Sequence, residues 1–595
     1  MKKKILWLVV SCLMALSLVL ASCGGEEEEE EEEVISPPTV EEEEEEEEVK
    51  PPPVGGNWWD FHGTPEYGGR FTFRQAMDPM SWDPYAGFTM TPHLYLESLS
   101  SMNWIIDRSV WDPEQLLSPT GLATSWEQID GFHQIIHIRE GVHWHDRDPV
   151  YGRELDAFDV AWSYNRLIGK GSGFTEGSPF LPQFIFAEID SIEAIDKWTI
   201  EVKYNKPNSF GMVANFGLFG IHCRDVVEKF GDLSDWKNAV GTGPFTLDDY
   251  VAGASITLGK NINYWGYDER HPQNKIPYVD SVKVLIIPDL STALAALRTG
   301  KIDIMEGIPW EQALKMMETN PELESFMVLA QTAALKPRVD VEPFTDIRVR
   351  KAMNMAIDRK TIAETYYGGL VEGKPYGIMS PTPEFGDFYT PFEEWPADIQ
   401  EGYMYDPEGA KQLLAEAGYP NGFKTNVAIS AAADVDMAQV FKFYLAEIGI
   451  DMEINVMEPT VYNSYVNILQ KHDQLYWSTV DAFDRKIAAM NYETSVTNPS
   501  KIEDPVYNEM SSSFRIDVDE EGNYTPLEKQ LREGRECDMY VMSKHWAVPG
   551  IPAFTFRLWQ PWLKGYTDEQ LWRWPASQYA RWWINHDVKK AMGYE

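Results

Sequence analysis

The chain has 595 residues, with 94 acidic side chains against 51 Lys and Arg and a formal net charge of −43. That balance argues against a nucleic-acid binder, because phosphate neutralisation needs clustered basic groups. Hydrophobic residues make up 44% of the chain, enough to build real cores in roughly two to four domains.

The first segment is an address. Lys2, Lys3 and Lys4 precede an apolar run over residues 5–20, the layout of a signal peptide over residues 1–22 rather than of a spanning helix. The run ends in Leu20-Ala21-Ser22-Cys23. This string resembles the lipobox of bacterial lipoproteins, where cleavage precedes the cysteine and its thiol is acylated. Small residues suit a narrow protease site, and Cys23 is the expected lipidation site. One acyl chain holds only marginally, whereas two or three anchor effectively permanently, at about 0.8 kcal/mol per buried CH2. Glutamates then fill positions 26–33 and 41–48, and prolines stand at 37–38 and 51–53. Residues 23–56 therefore read as a disordered acidic tether, extended by repulsion and stiffened by proline. No later segment reaches ~18 uninterrupted apolar residues, so the lipid is the expected membrane attachment.

Further along, alternation at Gly69-Arg70-Phe71-Thr72-Phe73 predicts a strand, as it does over residues 281–287 and 451–456. A helix over residues 291–297 stops at Gly300, and Ile302-Asp303-Ile304 alternates like a strand. Asp346 caps a helix running through Ala352, Met355 and Ala356 to Asp358. Asp406 is an N-cap with Pro407 at the first helical position; Ala410, Leu413, Leu414 and Ala417 form one apolar face, and Gly418 ends the helix. This mixture indicates an α/β or α+β body with more than one lobe. Of the four cysteines, Cys12 leaves with the signal, and only Cys223 and Cys537 remain for a bridge. No C-x-x-C occurs, which excludes a disulfide framework or structural zinc and leaves the pairing of those two open.

The order of short motifs resembles the bacterial extracellular solute-binding proteins of family 5, the oligopeptide-, dipeptide- and nickel-binding components of ABC importers. Gly68-Gly69-Arg70-Phe71-Thr72 and Ser81-Trp82-Asp83-Pro84 are similar to the family's "GGTL…LDP". Leu122-Ala123-Thr124-Ser125-Trp126-Glu127, followed by residues 136–146 (IHIREGVHWHD), is similar to "LAESWE…FHLRpGVKFHDG". Asp156-Ala157-Phe158-Asp159-Val160 stands where the family has "TAEDV". Gly241-Thr242-Gly243-Pro244-Phe245 and Asn261-Ile262-Asn263-Tyr264-Trp265 look like "GTGPY" and "NPDYW". Residues 346–352 (DIRVRKA) and Ala356-Ile357-Asp358-Arg359 match "DvRVRqAl…AIDR". The sequence departs where Arg147 follows Asp146, where an insertion precedes Asp156, and over residues 173–235 and 484–535.

The resemblance implies an α/β, bilobal periplasmic-binding-protein-like fold (class II, type C) with an additional third domain. Domain I would comprise residues 57–92, 236–330 and 556–595, domain II residues 93–235 and domain III residues 331–555. It further implies a monomer on the extracytoplasmic face of the membrane. Such a protein binds a small solute, most simply a peptide, between two lobes and hands it to ABC permease and ATPase subunits, with no cofactor and no chemistry of its own. A solute-binding protein for oligosaccharide and a secreted hydrolase are the alternatives.

Among 22 Trp, 28 Tyr and 27 Phe, the best cleft candidates are Tyr476, Trp477 and Ser478 with Asp481. In the family a strand carrying "GW", followed by an acidic "DY", offers backbone to a peptide and a carboxylate to its α-amine. Here Tyr476 replaces the glycine and Asp481 comes one residue late. Residues 87–91, with Phe88 and Thr89, would form another wall. His133, His137, His143 and His145 suggest metal, but the alternation around them predicts a hairpin and no carboxylate is placed beside them. Residues 517–528 imitate a calcium loop at Asp517, Asp519, Gly522 and Glu528, with Glu521 too long for its place, and otherwise read as an acidic surface turn. Residues 368–374 imitate a P-loop and fail at Pro375. No H-E-x-x-H or G-x-S-x-G occurs, which weakens an enzyme reading.

Overall fold

Strand formation begins where the alternation predicts it. Phe71 and Phe73, on the strand Arg70–Gln75, pair with Val282 and Val284 of the parallel strand Ser281–Ile286, and all four side chains are buried on one face. In this computed structural model the described residues are 63–79, 81–86, 94–97, 121–178, 189–207, 220–329, 332–379, 388–479, 498–515, 518–552, 554–566 and 576–594. All of them fall in one compact unit, Trp59–Glu595.

Three sheets organise this unit. The first has seven strands in the order Glu324–Leu329, Phe554–Trp559, Ile304–Pro309, Arg70–Gln75, Ser281–Ile286, Ser255–Lys260 and Phe245–Val251. The second is an antiparallel meander of Ala123–Asp130, His133–Ile138, Thr199–Tyr204 and Ile189–Ala194. The third runs Ile450–Met457, Phe423–Ser430, Leu475–Thr479, Ala333–Pro337 and Val548–Pro549. Each sheet has its own apolar core, and we call the three the first, second and third bodies.

Helix punctuation is obeyed closely. The Asp406 carboxylate accepts from the Gly409 amide at 2.9 Å, Pro407 opens the helix Pro407–Glu416, and Gly418 turns away at positive φ. Asp289 caps Leu290–Arg298 in the same way, and Asp156 caps Ala157–Ile168 through a reciprocal box with Asp159. The helix from Asp346 ends at Met355; Asp358 then caps a separate helix, Arg359–Thr365, by accepting from the Thr361 amide.

Ile302-Asp303-Ile304 is not a strand throughout: the strand starts only at Ile304. Asp303 is buried. Its carboxylate accepts from the Thr72 amide at 2.6 Å and from Trp562 Nε1 at 2.7 Å, so a side chain takes the place of a ladder bond. Cys223 and Cys537 are buried in separate cores and form no disulfide with each other, which closes the pairing question.

Candidate functional site

The chain passes between the first and third bodies by two neighbouring crossings. The edge strand Glu324–Leu329 lies antiparallel to Phe554–Trp559 in the first sheet. Beyond it, Ala333–Pro337 lies antiparallel to Val548–Pro549 in the third. The Gly550 amide donates to the Ala333 carbonyl at 2.8 Å, so the two crossings are tied together on the side of the third sheet. Two short strands of backbone side by side can bend together, which is the layout of a hinge.

A buried arginine braces the returning crossing. Arg359 donates to the carbonyls of Pro549 (3.0 Å), Asn354 (3.1 Å) and Tyr403 (3.0 Å) and to Asn354 Oδ1 (3.0 Å). Burial pulls its pKa down to about 10, and it stays a cation held by carbonyl dipoles. Trp310, at the start of the helix Trp310–Thr319, is half-buried and packs against both the third core and the apolar cluster beneath the first sheet. Its ring centroid lies 6.5 Å from that of Tyr367 in the third body.

The first and second bodies are joined differently. Arg166 grips Asp83 with two bonds of 2.8 and 2.6 Å, and the same carboxylate accepts from the Leu233 amide at 3.3 Å. Burial pushes the Asp83 carboxyl up, but the bonds and charge of Arg166 outweigh it and hold it below its usual range. His145 accepts from the Gly241 amide at Nδ1 (3.2 Å) and faces the Gly243 carbonyl through Nε2 (3.1 Å). Burial drops its pKa to about 4, so the ring is neutral and serves as a strut. A side chain on Gly241 would collide with the Tyr95 carbonyl, which explains the glycine there. Tyr264 donates to Glu97 at 2.7 Å, and burial pushes that carboxyl up to about 8. Arg147 adds a bond to the Leu247 carbonyl and one of 2.6 Å to Asp248.

The strand Leu475–Thr479 lies inside the third sheet, between Phe423–Ser430 and Ala333–Pro337. Trp477 is buried edge-on to Phe441, at 5.1 Å between centroids. Tyr476 is buried on the opposite face with Ala428, Tyr462 and Val466, its hydroxyl 2.9 Å from Ser500 Oγ. Ser478 is half-buried, opposite Ala334. The two rings thus pack into cores on the two faces of one sheet. Asp481, Phe88, Thr89 and Cys23 lie outside the described residues.

The four histidines do not converge, and among the described residues no three His, Cys, Asp or Glu side chains are grouped as metal ligands. His133 pairs with Asp130 at 2.7 Å, and His143 Nδ1 faces the Gly141 carbonyl at 3.0 Å. In the 517–528 segment, Asn523 occupies the Asp519 carboxylate (2.8 and 2.9 Å), and Val518 bridges to Tyr524. That turn touches the second body: the Gly131 amide donates to the Glu520 carbonyl at 2.9 Å. Neither this contact nor Trp310 carries a sequence signal, since both depend on segments far apart in the chain.

Residues 119–509 match the family described as bacterial extracellular solute-binding proteins, family 5 Middle. Heme-binding protein A of Haemophilus influenzae is 31% identical over 319 residues, 51% of this chain and 54% of that protein. The glutathione-binding protein GsiB of Escherichia coli K12 is 26% identical over 336 residues, 55% of this chain and 59% of that protein. These alignments span little more than half of each relative. Among solved structures, the periplasmic binding protein DppA of Helicobacter pylori, in complex with the peptide STSA, superposes with a TM-score of 0.68. It covers 87% of this chain and 98% of that one, at 24% identity, and is a likeness of fold.

Proposed function

Because the chain belongs to the bacterial extracellular solute-binding proteins of family 5, we propose that it captures a small solute for an ABC importer. The observation that carries this reading is the pair of adjacent crossings between the first and third bodies, beside an interface of the first and second bodies that is fastened by buried bonds. In this proposal the first and second bodies form one lobe and the third body the other. The domains divide as residues 57–92, 236–330 and 556–595, residues 93–235, and residues 331–555. Solute binds between the lobes and shifts the hinge towards closure by its extra affinity for the closed form. The permease recognises that form, and ATP is consumed by partner subunits. Acylation at Cys23 tethers the monomer outside the membrane. Among the described residues no helix is long and apolar enough to cross a membrane.

Peptide is the preferred ligand, with Asp481 taking the α-amine and the backbone after Ser478 pairing with the peptide. Heme is the second reading, favoured by the 31% identity to heme-binding protein A. The large aromatic content lends little to an oligosaccharide, since Trp144, Trp477, Trp562, Trp582 and Trp583 are all core residues. Thermal unfolding with tetrapeptides, glutathione, hemin and oligosaccharides separates these cases. A ligand that binds only the folded state stabilises it by about 2.7 kcal/mol at a hundred times its Kd. Saturable protection by peptides is expected; protection by hemin alone selects the second reading, and protection by none contradicts both.

A further inference from the structure

The tip of the first hairpin in the second body is buried where a hairpin tip ordinarily meets water. It joins Ala123–Asp130 to His133–Ile138, and Gly131 at the tip is buried against the turn Asp519–Gly522 of the third body. The fit is tight. A Cβ on Gly131 would collide with the Asp519 carbonyl oxygen and lie 2.9 Å from Glu520 Cα. A Cβ on Gly522 would lie 3.0 Å from Asp130 Cα.

The two glycines are needed for different reasons. Gly522 has a φ of 86°, which its own turn demands. Gly131 is not among the glycines at positive φ, so its own backbone conformation does not call for glycine. The demand for glycine at 131 comes from the other body. The bond across the gap, Gly131 N–H to the Glu520 carbonyl, is made by backbone alone and asks nothing of either side chain.

We propose that Gly131 and Glu520 form a backbone latch that registers the third body against the second and holds the closed form. The proposal rests on the reading that the third body swings on its two crossings. The hinge joins the first and third bodies, the fastened interface joins the first and second, and this contact joins the second and third. It completes a ring of three bodies, and it is the link that opening must break. Gly131→Ala acts as a wedge: it leaves each body's own fold intact and removes the closed form. Apparent affinity falls in proportion to the closed-competent fraction that is lost.

The test is a chemical trap in the full chain. Asp130→Cys with Glu520→Cys, treated with a short bis-maleimide, should give a 130–520 link found by peptide mapping, because even a minor closed population is captured. Adding Gly131→Ala should slow linking by ~tenfold or more, equivalent to about 1.4 kcal/mol against closure, and Gly131→Val should slow it further. The melting temperature should stay within about 2 °C of the parent, as expected when no fold interior changes. Equal linking rates with Gly and Ala at 131, or no link in the parent pair, would overturn the latch. The rates need no added solute, so the latch is tested even if no ligand class is found. Adding the peptide Ser-Thr-Ser-Ala gives the separate reading: faster linking supports peptide capture, and an unchanged rate counts against it while leaving the latch standing.

Discussion

The second and third bodies are attached to the first by opposite means, and the contrast shows where this molecule can move. The second body is fixed by a buried ion pair, Asp83–Arg166, and by the neutral strut His145. Separating those two bodies would break a two-bond ion pair and several buried hydrogen bonds at once. Among the described residues, the third body is attached by two short crossings, the packing of Trp310, and a backbone bond at a hairpin tip. On the proposed reading little of that is lost on opening, and motion is expected between the third body and the fastened pair.

The strongest way to break the contrast is to cut the fastening. Arg166→Ala leaves Asp83 buried and unpaired and should cost about 3–5 kcal/mol in denaturant unfolding. A loss below about 1 kcal/mol would show that the pair is not a fastening at all.

Two buried groups, one from each region, should titrate with opposite sign. Asp538, in the third body, accepts from the Ile378 amide at 2.8 Å and is fully buried; burial pushes its pKa up to about 7. The folded protein then holds a proton that the unfolded chain releases. Stability from this group is intact below its ordinary pKa of 3.8 and lost as pH rises through about 7. Asp538→Asn should therefore be more stable than the parent at alkaline pH, by about 1–2 kcal/mol. The difference should vanish at pH 4; a constant difference across pH would contradict the assignment.

His145 works the other way. Its folded pKa of about 4 lies below the ordinary 6.5, so the unfolded chain binds the extra proton. Its contribution is present above pH 6.5 and lost as pH falls through about 4. His145→Gln should lessen the acid slope of the unfolding free energy by up to about one proton. Burial also lowers His472 and His545 in the third body, to about 4 and 3, so single substitutions are needed to assign the slope. The smallest effect is expected from Tyr476→Phe, which removes the hydroxyl beside Ser500 and should cost about 0.5–1.5 kcal/mol. If it instead abolished ligand protection with no loss of stability, Tyr476 would be a cleft residue rather than a core one.

Much of the fold was legible because the family-like strings turn out to serve joints and caps. Gly241 and His145 fasten two bodies, Tyr264 holds Glu97, Asp156 and Asp346 cap helices, and Arg359 braces a crossing. Caps are local and can be read from spacing; joints were visible only through resemblance, since their partners lie far along the chain. Ile302-Asp303-Ile304 misled because alternation cannot tell a strand from a bend whose acidic side chain binds the neighbouring strand. Tyr476 and Trp477 fall on opposite faces as alternation requires. Both are covered, because Val435–Glu447 packs on one face of the third sheet and residues 459–468 on the other. A strand buried on both sides gives no pattern that separates core aromatics from cleft ones. Residues 484–535, one of two segments poor in family likeness, adjoin Asp481, so the ligand was the part least readable.

The central claim is tested most directly by distances measured in the free protein. Spin labels placed at Glu201 and Lys424 span the second and third bodies, and labels at Glu201 and Val251 span the second and first. The account predicts a broad or two-peaked distance distribution for the first pair and a single narrow one for the second. Equal widths for both pairs, whether narrow or broad, would contradict it.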